Sequence, residues 1–434
     1  MRILLVEDHP IAPILMLTAD RGPRTRRRSA AIPRAIGACV LTIASATAVS
    51  AQPAATLTLQ AATERALAAN PTIAAARLRG AVDLAGLAVA AERPNPEASV
   101  EIEKETPKQS FGVALPLELG GKRARRIAVS QATIRAGEAE LAATIAQVRN
   151  DVRRAYFDGL VAGARAAVLR ELRDLAQRAR DTAQTRFETG DAPRLEVLQA
   201  DLALSSAQID AASADGAVAA ARARLNALLG LPLDAAPQLS AALDEGGPVV
   251  ATAVLDLAHT ASAELAVFDR RIDEQRAKLE LARALRVPDL VPTATLTHDA
   301  EPEFTYGWRA GVAVTLPLFT THKAGVNVES HTLAQLVAER QAAMLRIDSE
   351  VTAAAVTAEA QRLAYVRYRD EILPQAQQVE QLAQDSYRLG QTGIAALLQA
   401  LQASRDVRLR SLDTASQFQT ALADLERAIG APLK

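Results

Sequence analysis

The 434-residue chain is long enough for two or three ordinary domains. Its formal net charge is −1 with the signs well mixed, which excludes the basic face of a nucleic-acid binder. Aromatic residues are only 3% and alanine is abundant, so long helices packed closely side by side are expected instead of a bulky globular core.

Met1–Pro10, MRILLVEDHP, resembles the first strand and acidic pair of a response-regulator receiver domain, where Glu7 and Asp8 would be magnesium ligands. The rest of such a domain does not follow. The expected reading is a start placed too far upstream, with Met16 as an alternative start. A secretory leader comes next: a basic stretch with Arg24, Arg26, Arg27, Arg28 and Arg34, then the apolar run Ala35–Val49. Val49-Ser50-Ala51 is a small-residue cleavage site before Gln52. Residues 1–51 are therefore read as extension plus leader. Cys39 is the only cysteine and sits within the apolar run, so lipidation is not expected and the mature chain has no thiol chemistry. No apolar run after Ala51 is long enough for a membrane-spanning helix. An exported chain of this kind meets a membrane with strands.

Residues 52–230 form a first repeat. Thr58 is a candidate N-cap, and Leu59, Ala62, Ala66 and Leu67 share one helix face. Asn70-Pro71 breaks that helix; Thr72–Arg93 resumes it, and Pro94 and Pro96 end it. A hairpin is expected over 97–117. Ala98, Val100 and Ile102 alternate with Ser99, Glu101 and Glu103, and Phe111, Val113, Leu115 and Leu117 alternate with small or polar residues. A helix over 122–189 follows, with the heptad-like seam Ile134, Leu141, Ile145, Val148 and Val152. At about 65 residues it would be about 100 Å long. It must therefore run beside other helices. Gly190 turns the chain into a helix over 193–229 carrying Leu195, Leu198, Leu202, Ile209, Leu225 and Leu228.

Residues 231–250, rich in Pro, Gly and Asp, are a linker. Residues 251–434 replay the plan: one helix over Ala253–Leu285, a hairpin over 293–319, a long helix over 324–389 interrupted by Pro374, the Gly390 turn, and a helix over 394–430. Phe187, Gly190 and Leu198-Gln199-Ala200 recur 200 positions later as Tyr387, Gly390 and Leu398-Gln399-Ala400. So long a period means a duplicated domain rather than a solenoid.

Four strands cannot close a bilayer barrel, whose smallest form has about eight. Edges left unpaired in lipid are costly. Three copies would supply twelve strands for one shared barrel. The alternation then turns Val100, Ile102, Phe111, Val113, Leu115, Val312, Val314 and Leu316 to lipid. Ser99, Glu101, Thr293, Thr295 and Thr297 would line a wet lumen. Trp308, Phe304, Tyr306 and Phe319 lie where interfacial aromatic girdles occur.

The chain resembles the TolC-type outer-membrane efflux proteins over Thr56–Leu433. The resemblance rests on the duplicated plan, the LxxAxxxAxxxNP segment from Leu59 to Pro71, the two strand ends Val113-Ala-Leu-Pro-Leu117 and Val314-Thr-Leu-Pro-Leu318, and the turns at Gly190 and Gly390. Leu117-Glu-Leu-Gly-Gly-Lys-Arg123 resembles the branch serving cobalt–zinc–cadmium exporters. The resemblance implies a mainly α fold with a small membrane β part. It also implies a homotrimer with a twelve-stranded barrel in outer-membrane lipid and a helical tunnel crossing the periplasm. The implied partners are a periplasmic adaptor and a proton-driven inner-membrane pump, and the implied role is a passive exit duct for metal cations or drugs. It places a gate near the Gly turns. Glu196 and nearby Asp191 are acidic candidates there; Ala396 and Gln399 stand where some members carry acids, and Thr392 where some carry a locking Arg.

No catalytic or cofactor motif is present: no GxSxG, P-loop or HExxH. His259, His298, His322 and His331 are scattered and make no ligand pair, so no metal site is expected. The rival readings are a periplasmic coiled-coil adaptor, which would need one hairpin flanked by β domains, and a structural envelope protein, which would not need oily-faced strands in both repeats.

Overall fold

The computed structural model describes residues 56–433 apart from 106, 301 and 303. The leader and its cleavage site lie outside these residues. The first repeat starts with α1 (Leu59–Ala69) and α2 (Pro71–Ala91). The Thr58 hydroxyl accepts from the Ala61 amide at 3.2 Å, making the expected cap. At the break, the Asn70 side chain accepts from the Thr72 amide at 2.9 Å and Pro71 opens α2, where its missing N–H costs nothing. After β1 (Glu97–Ile102) and β2 (Gln109–Ala114), α3 runs unbroken over Lys122–Glu188 and α4 returns over Arg194–Leu229.

The second repeat has α5 (Ala251–Ala261), α6 (Ala263–Ala284), β3 (Leu290–Ala300), β4 (Phe304–Val314), α7 (Lys323–Arg367), α8 (Leu373–Arg388) and α9 (Ile394–Ile429). Three sequence expectations need correction here. The helix expected over Ala253–Leu285 is two helices: Ser262 leaves the helical region (ψ 119°) and its hydroxyl caps α6 through the Leu265 amide at 3.5 Å. This reproduces the Asn70 break without a proline, which is why periodicity alone misses it. The interruption assigned to Pro374 lies upstream of it, in a π-turn over Tyr368–Ile372, and Pro374 sits in the first turn of α8. The hairpin strands also stop short, at Ala114 and Val314, because Pro116 and Pro317 have no N–H to donate. The Leu115 and Leu117 amides still reach the Pro292 and Leu290 carbonyls at 3.0 and 2.7 Å.

The two hairpins are not separate. They join through β2 and β3 into one antiparallel sheet of order β1-β2-β3-β4. Ile102, Gln109, His298 and Tyr306 lie in one row across it, so both hairpins turn back at the same level. The extra length of β3 and β4 lies at both ends, past Thr293 and Gly311 toward the helices and past His298 and Tyr306 to the Ala300–Phe304 pair at the turn.

Beside the sheet the helices lie in the order α2, α3, α6, α7; toward the Gly turns the order is α4, α3, α9, α8. Each repeat has an alanine-rich core. Ala62, Ala66, Val152, Tyr156, Phe157 and Leu225 form one; Ala258, Val351, Phe418, Leu422 and Leu425 form another. Small side chains let helices approach closely while burying a continuous seam. The seam between repeats, α3 against α9, carries Arg153–Glu426, Arg154–Asp424, Arg165–Asp413 and Arg408–Glu171 ion pairs. Most are half-exposed and worth at most about 1 kcal/mol each. They fix register more than they stabilise. The linker is more than a spacer. The Tyr156 hydroxyl accepts from the Ser240 amide at 3.1 Å, and Gln419 donates to the Leu243 and Glu245 carbonyls at 3.1 and 2.8 Å, so 231–250 is tied to both repeats.

Candidate functional site

Two regions carry the residues that matter, the sheet and the Gly turns. In the sheet, Val100, Phe111, Leu296 and Trp308 form one cross-strand row, and Ala98, Val113, Ala294 and Ala310 the next on the same face. Ser99, Gly112, Thr295 and Arg309 form a row on the opposite face, as do Glu101, Ser110, Thr297 and Gly307. The sheet thus sorts the expected oily and polar residues onto separate faces, as the period of 2 requires. The burial is reversed from that of a soluble sheet. Trp308 is 83% exposed and Ile102 80%, while Thr297 on the polar face is 6% exposed. Along β2 the oily Phe111 and Val113 are exposed and the polar or small Ser110, Gly112 and Ala114 are half-buried. A face of this kind in water would be a large apolar patch, which soluble monomers avoid. The Ser110 hydroxyl donates to Glu101 at 3.1 Å on the polar face. The outer edges of β1 and β4 have no partner strand within the described residues.

At the junction between sheet and helices, the Leu117–Arg123 motif becomes a buckle. Asp289 accepts from the Leu119 amide at 2.9 Å and from Lys122 at 2.7 Å. Lys122 is nearly buried. Burial alone would raise the Asp289 carboxyl, but the Lys122 and Leu119 hydrogen bonds outweigh it and hold it below the usual carboxylate range. Arg126 grips Glu118 with two nitrogens and donates to the Glu92 carbonyl. Gly120 has φ +68°, and a Cβ there would lie 2.8 Å from the Val287 side chain. Both its conformation and its space exclude other residues.

At the other end, Gly190 (φ +83°) and Gly390 (φ +74°) end α3 and α8 in the left-handed conformation. The structure brings Glu196 to Tyr387: the phenol donates to the Glu196 carboxylate at 3.2 Å. The Arg186 guanidinium lies 4.9 Å over the Tyr387 ring and 3.9 Å from the same carboxylate. Three residues from both repeats thus form one clamp, roofed by Leu172, Leu175, Val197, Ile394, Leu397 and Leu401. Burial first, then the Glu196 charge, pushes the Tyr387 phenol up to about 12. Of the other gate candidates, Asp191 touches this clamp through its backbone, its carbonyl accepting from Arg186 at 3.4 Å. Asp191 is exposed and accepts from the Thr189 hydroxyl at 2.9 Å; Ala396 and Gln399 are exposed; the Thr392 hydroxyl is buried with no partner. Sequence reasoning missed Arg186 and Tyr387. The available signal was the internal repeat, which sets the Tyr387 phenol against a plain phenyl at Phe187. Among the described residues no cluster of His, Cys, Asp or Glu could hold a metal ion, and no helix is long and apolar enough to cross a membrane.

A sheet with its oily face outward and two open edges, mounted on a raft of very long helices, defines a wall segment of a membrane pore. Residues 62–231 and 254–431 match the family Outer membrane efflux protein, one match for each repeat, and the chain belongs to that family. It is an outer-membrane efflux channel protein. It is 25% identical over 380 residues to the cobalt-zinc-cadmium resistance protein CzcC of Cupriavidus metallidurans, covering 86% of this chain and 90% of that one. It is 27% identical over 258 residues to the nickel-cobalt-cadmium resistance protein NccC of Alcaligenes xylosoxydans xylosoxydans, covering 57% of this chain and 55% of that one. Among solved structures, the CmeC outer-membrane channel of Campylobacter jejuni superposes with a TM-score of 0.73 at 16% identity, over 87% of this chain and 86% of that one. CusC superposes with a TM-score of 0.71 at 18% identity, over 86% and 92%. These likenesses bear out the mainly α fold with its small membrane β part.

Proposed function

We propose that three copies close into one duct, a passive exit for metal cations delivered from an inner-membrane, proton-driven pump through a periplasmic adaptor. The observation that carries this reading is the reversed burial of the sheet together with its two open edges. Pairing β4 of one copy with β1 of the next closes twelve strands. It sets Val100, Ile102, Phe111, Val113, Leu115, Val312, Val314 and Leu316 against lipid, and Ser99, Glu101, Thr293, Thr295 and Thr297 along the lumen. The helices support the same closure. Their large exposed apolar residues lie mostly on the outermost members of the raft: Leu78, Val82 and Val89 on α2 and Leu195, Leu198, Leu202 and Ile209 on α4 at one side, Val337, Leu345 and Leu363 on α7 and Val379 and Leu382 on α8 at the other. The central α6 and α9 carry none, and α3 only Phe187 in its last turn. Two unlike apolar sides on one molecule make a head-to-tail interface that closes as a ring.

The metal assignment follows the resistance proteins named above and the Leu117–Arg123 motif. The gate lies at the Gly turns, where Glu196 acts through Tyr387 and Arg186, and Asp191, Thr392, Ala396 and Gln399 surround the opening. The leader ending near Ala51 directs export. Purified protein in a planar bilayer should conduct ions as a trimer. Deleting its gene should make the host more sensitive to cobalt, zinc or cadmium salts. Protein that stays monomeric in water without detergent would overturn the duct; unchanged metal tolerance would overturn the cargo.

A further inference from the structure

The strand ends at the junction leave an apolar rim. Leu117, Leu119, Leu285, Val287, Leu318 and Phe319 are exposed there, Phe319 completely. Leu117, Leu119 and Leu318 continue the two-residue period of the oily face beyond the last regular ladder pairs, so the rim is the lower border of that face. At this same level end α2 and α6 and begin α3 and α7.

The charges at this level divide into two sets. Lys122, Arg125, Arg126 and Arg283 pair with Asp289, Glu280 and Glu118. Arg93, Arg123, Arg286 and Lys323 make no ion pair among the described residues; Arg123 donates only to the Ala91 carbonyl, at 2.7 Å. Arg93, Arg286 and Lys323 are exposed. The carboxylates left without an ion pair are Glu92 and Glu97, so the excess is cationic. Neither α3 nor α7 brings an acidic residue in its first turn to offset it.

We infer that this junction is a lipid-headgroup collar, selective for anionic phospholipid of the leaflet on the helix side of the membrane. The rim sits in the acyl boundary, and the free cations meet phosphate just below it. Apolar residues followed at once by unpaired Arg and Lys are what such a boundary favours. Phe319, with no protein partner on any side, has the amphipathic border as its neighbour. In a closed ring Lys323 at the head of α7 and Arg93 at the foot of α2 come from adjacent copies, so the collar runs across the subunit seams. The inference rests on the membrane reading proposed above.

The test is reconstitution of the full protein into nanodiscs of phosphatidylcholine mixed with phosphatidylglycerol, extraction in mild detergent, and native mass spectrometry of the lipids retained. The wild type should retain phosphatidylglycerol over phosphatidylcholine. Each of Arg93→Gln, Arg286→Gln and Lys323→Gln should cut that preference about fivefold. Arg178→Gln, at an exposed cation far down α3, should leave it unchanged. Equal retention of the two lipids by an inserted wild-type trimer would overturn the collar alone, as would an equal loss with Arg178→Gln. Failure to insert into any nanodisc would overturn the membrane reading and the collar with it.

Discussion

One oxygen atom distinguishes Tyr387 from its repeat counterpart Phe187, and that oxygen reaches Glu196. Tyr387→Phe should remove a hydrogen bond to a charged acceptor, a loss of about 1.5 kcal/mol at that contact. The expected readout is a higher open-channel conductance in planar bilayers with the trimer intact. Glu196→Gln should raise conductance in the same way and change cation selectivity little, because its carboxylate is held by Tyr387 and Arg186. A large selectivity change without a conductance change would show that Glu196 faces the bore. The phenol, raised to about 12 where a free tyrosine ionises near 10, sets the sign of a pH effect. The neutral phenol is favoured in the folded clamp, so its contribution is complete below pH 10 and is lost as the pH rises from 10 toward 12. Tyrosinate absorbance of the wild type minus that of Tyr387→Phe should titrate near the upper end of that range, at about 12.

At the scale of elements, the buckle between sheet and raft depends on a left-handed Gly120 and on the Asp289 carboxylate. Gly120→Ala meets both backbone strain and Val287, and should cost about 1–3 kcal/mol, seen as a lower thermal midpoint of the detergent-extracted protein. Asp289 is held below its ordinary range, so its stabilising contribution is present at neutral pH and fades as the pH falls through the carboxylate range. Asp289→Asn should flatten the acid limb of the stability profile. Much of this level was legible in the sequence. The period of 2 sorted the strand faces, the glycines placed both turns, and unbroken heptad-like spacing gave α3 its length. What escaped lies in tertiary choices that leave no periodic trace. Ser262 breaks a helix through its side-chain cap. The π-turn at Tyr368–Ile372 inserts a residue into a helix of otherwise ordinary composition. The pairing of β2 with β3 joins strands separated by the whole of α3, α4, α5 and α6.

For the whole molecule, the helix over 193–229 carries Leu195, Leu198, Leu202 and Ile209 as well as Leu225, and the structure buries Leu225 but leaves the other four exposed at the rim of the raft. A single chain gives no hint of which apolar seam is filled internally and which waits for a neighbour. Leu202→Asp on α4 or Leu382→Asp on α8 should each abolish the trimer, measured by light scattering in detergent, while the helical content of the monomer stays the same. A trimer that survives both changes would refute the head-to-tail closure. The bends of the sheet carry one more consequence. Both hairpins reverse at one level, through the short spans between Ile102 and Gln109 and between Ala300 and Phe304. Neither span is long enough to fold across a barrel of this size. A trimeric duct closed as proposed above would therefore have to be shut from its far end, at the Gly turns, because the described residues of these spans offer nothing to cover its outer mouth.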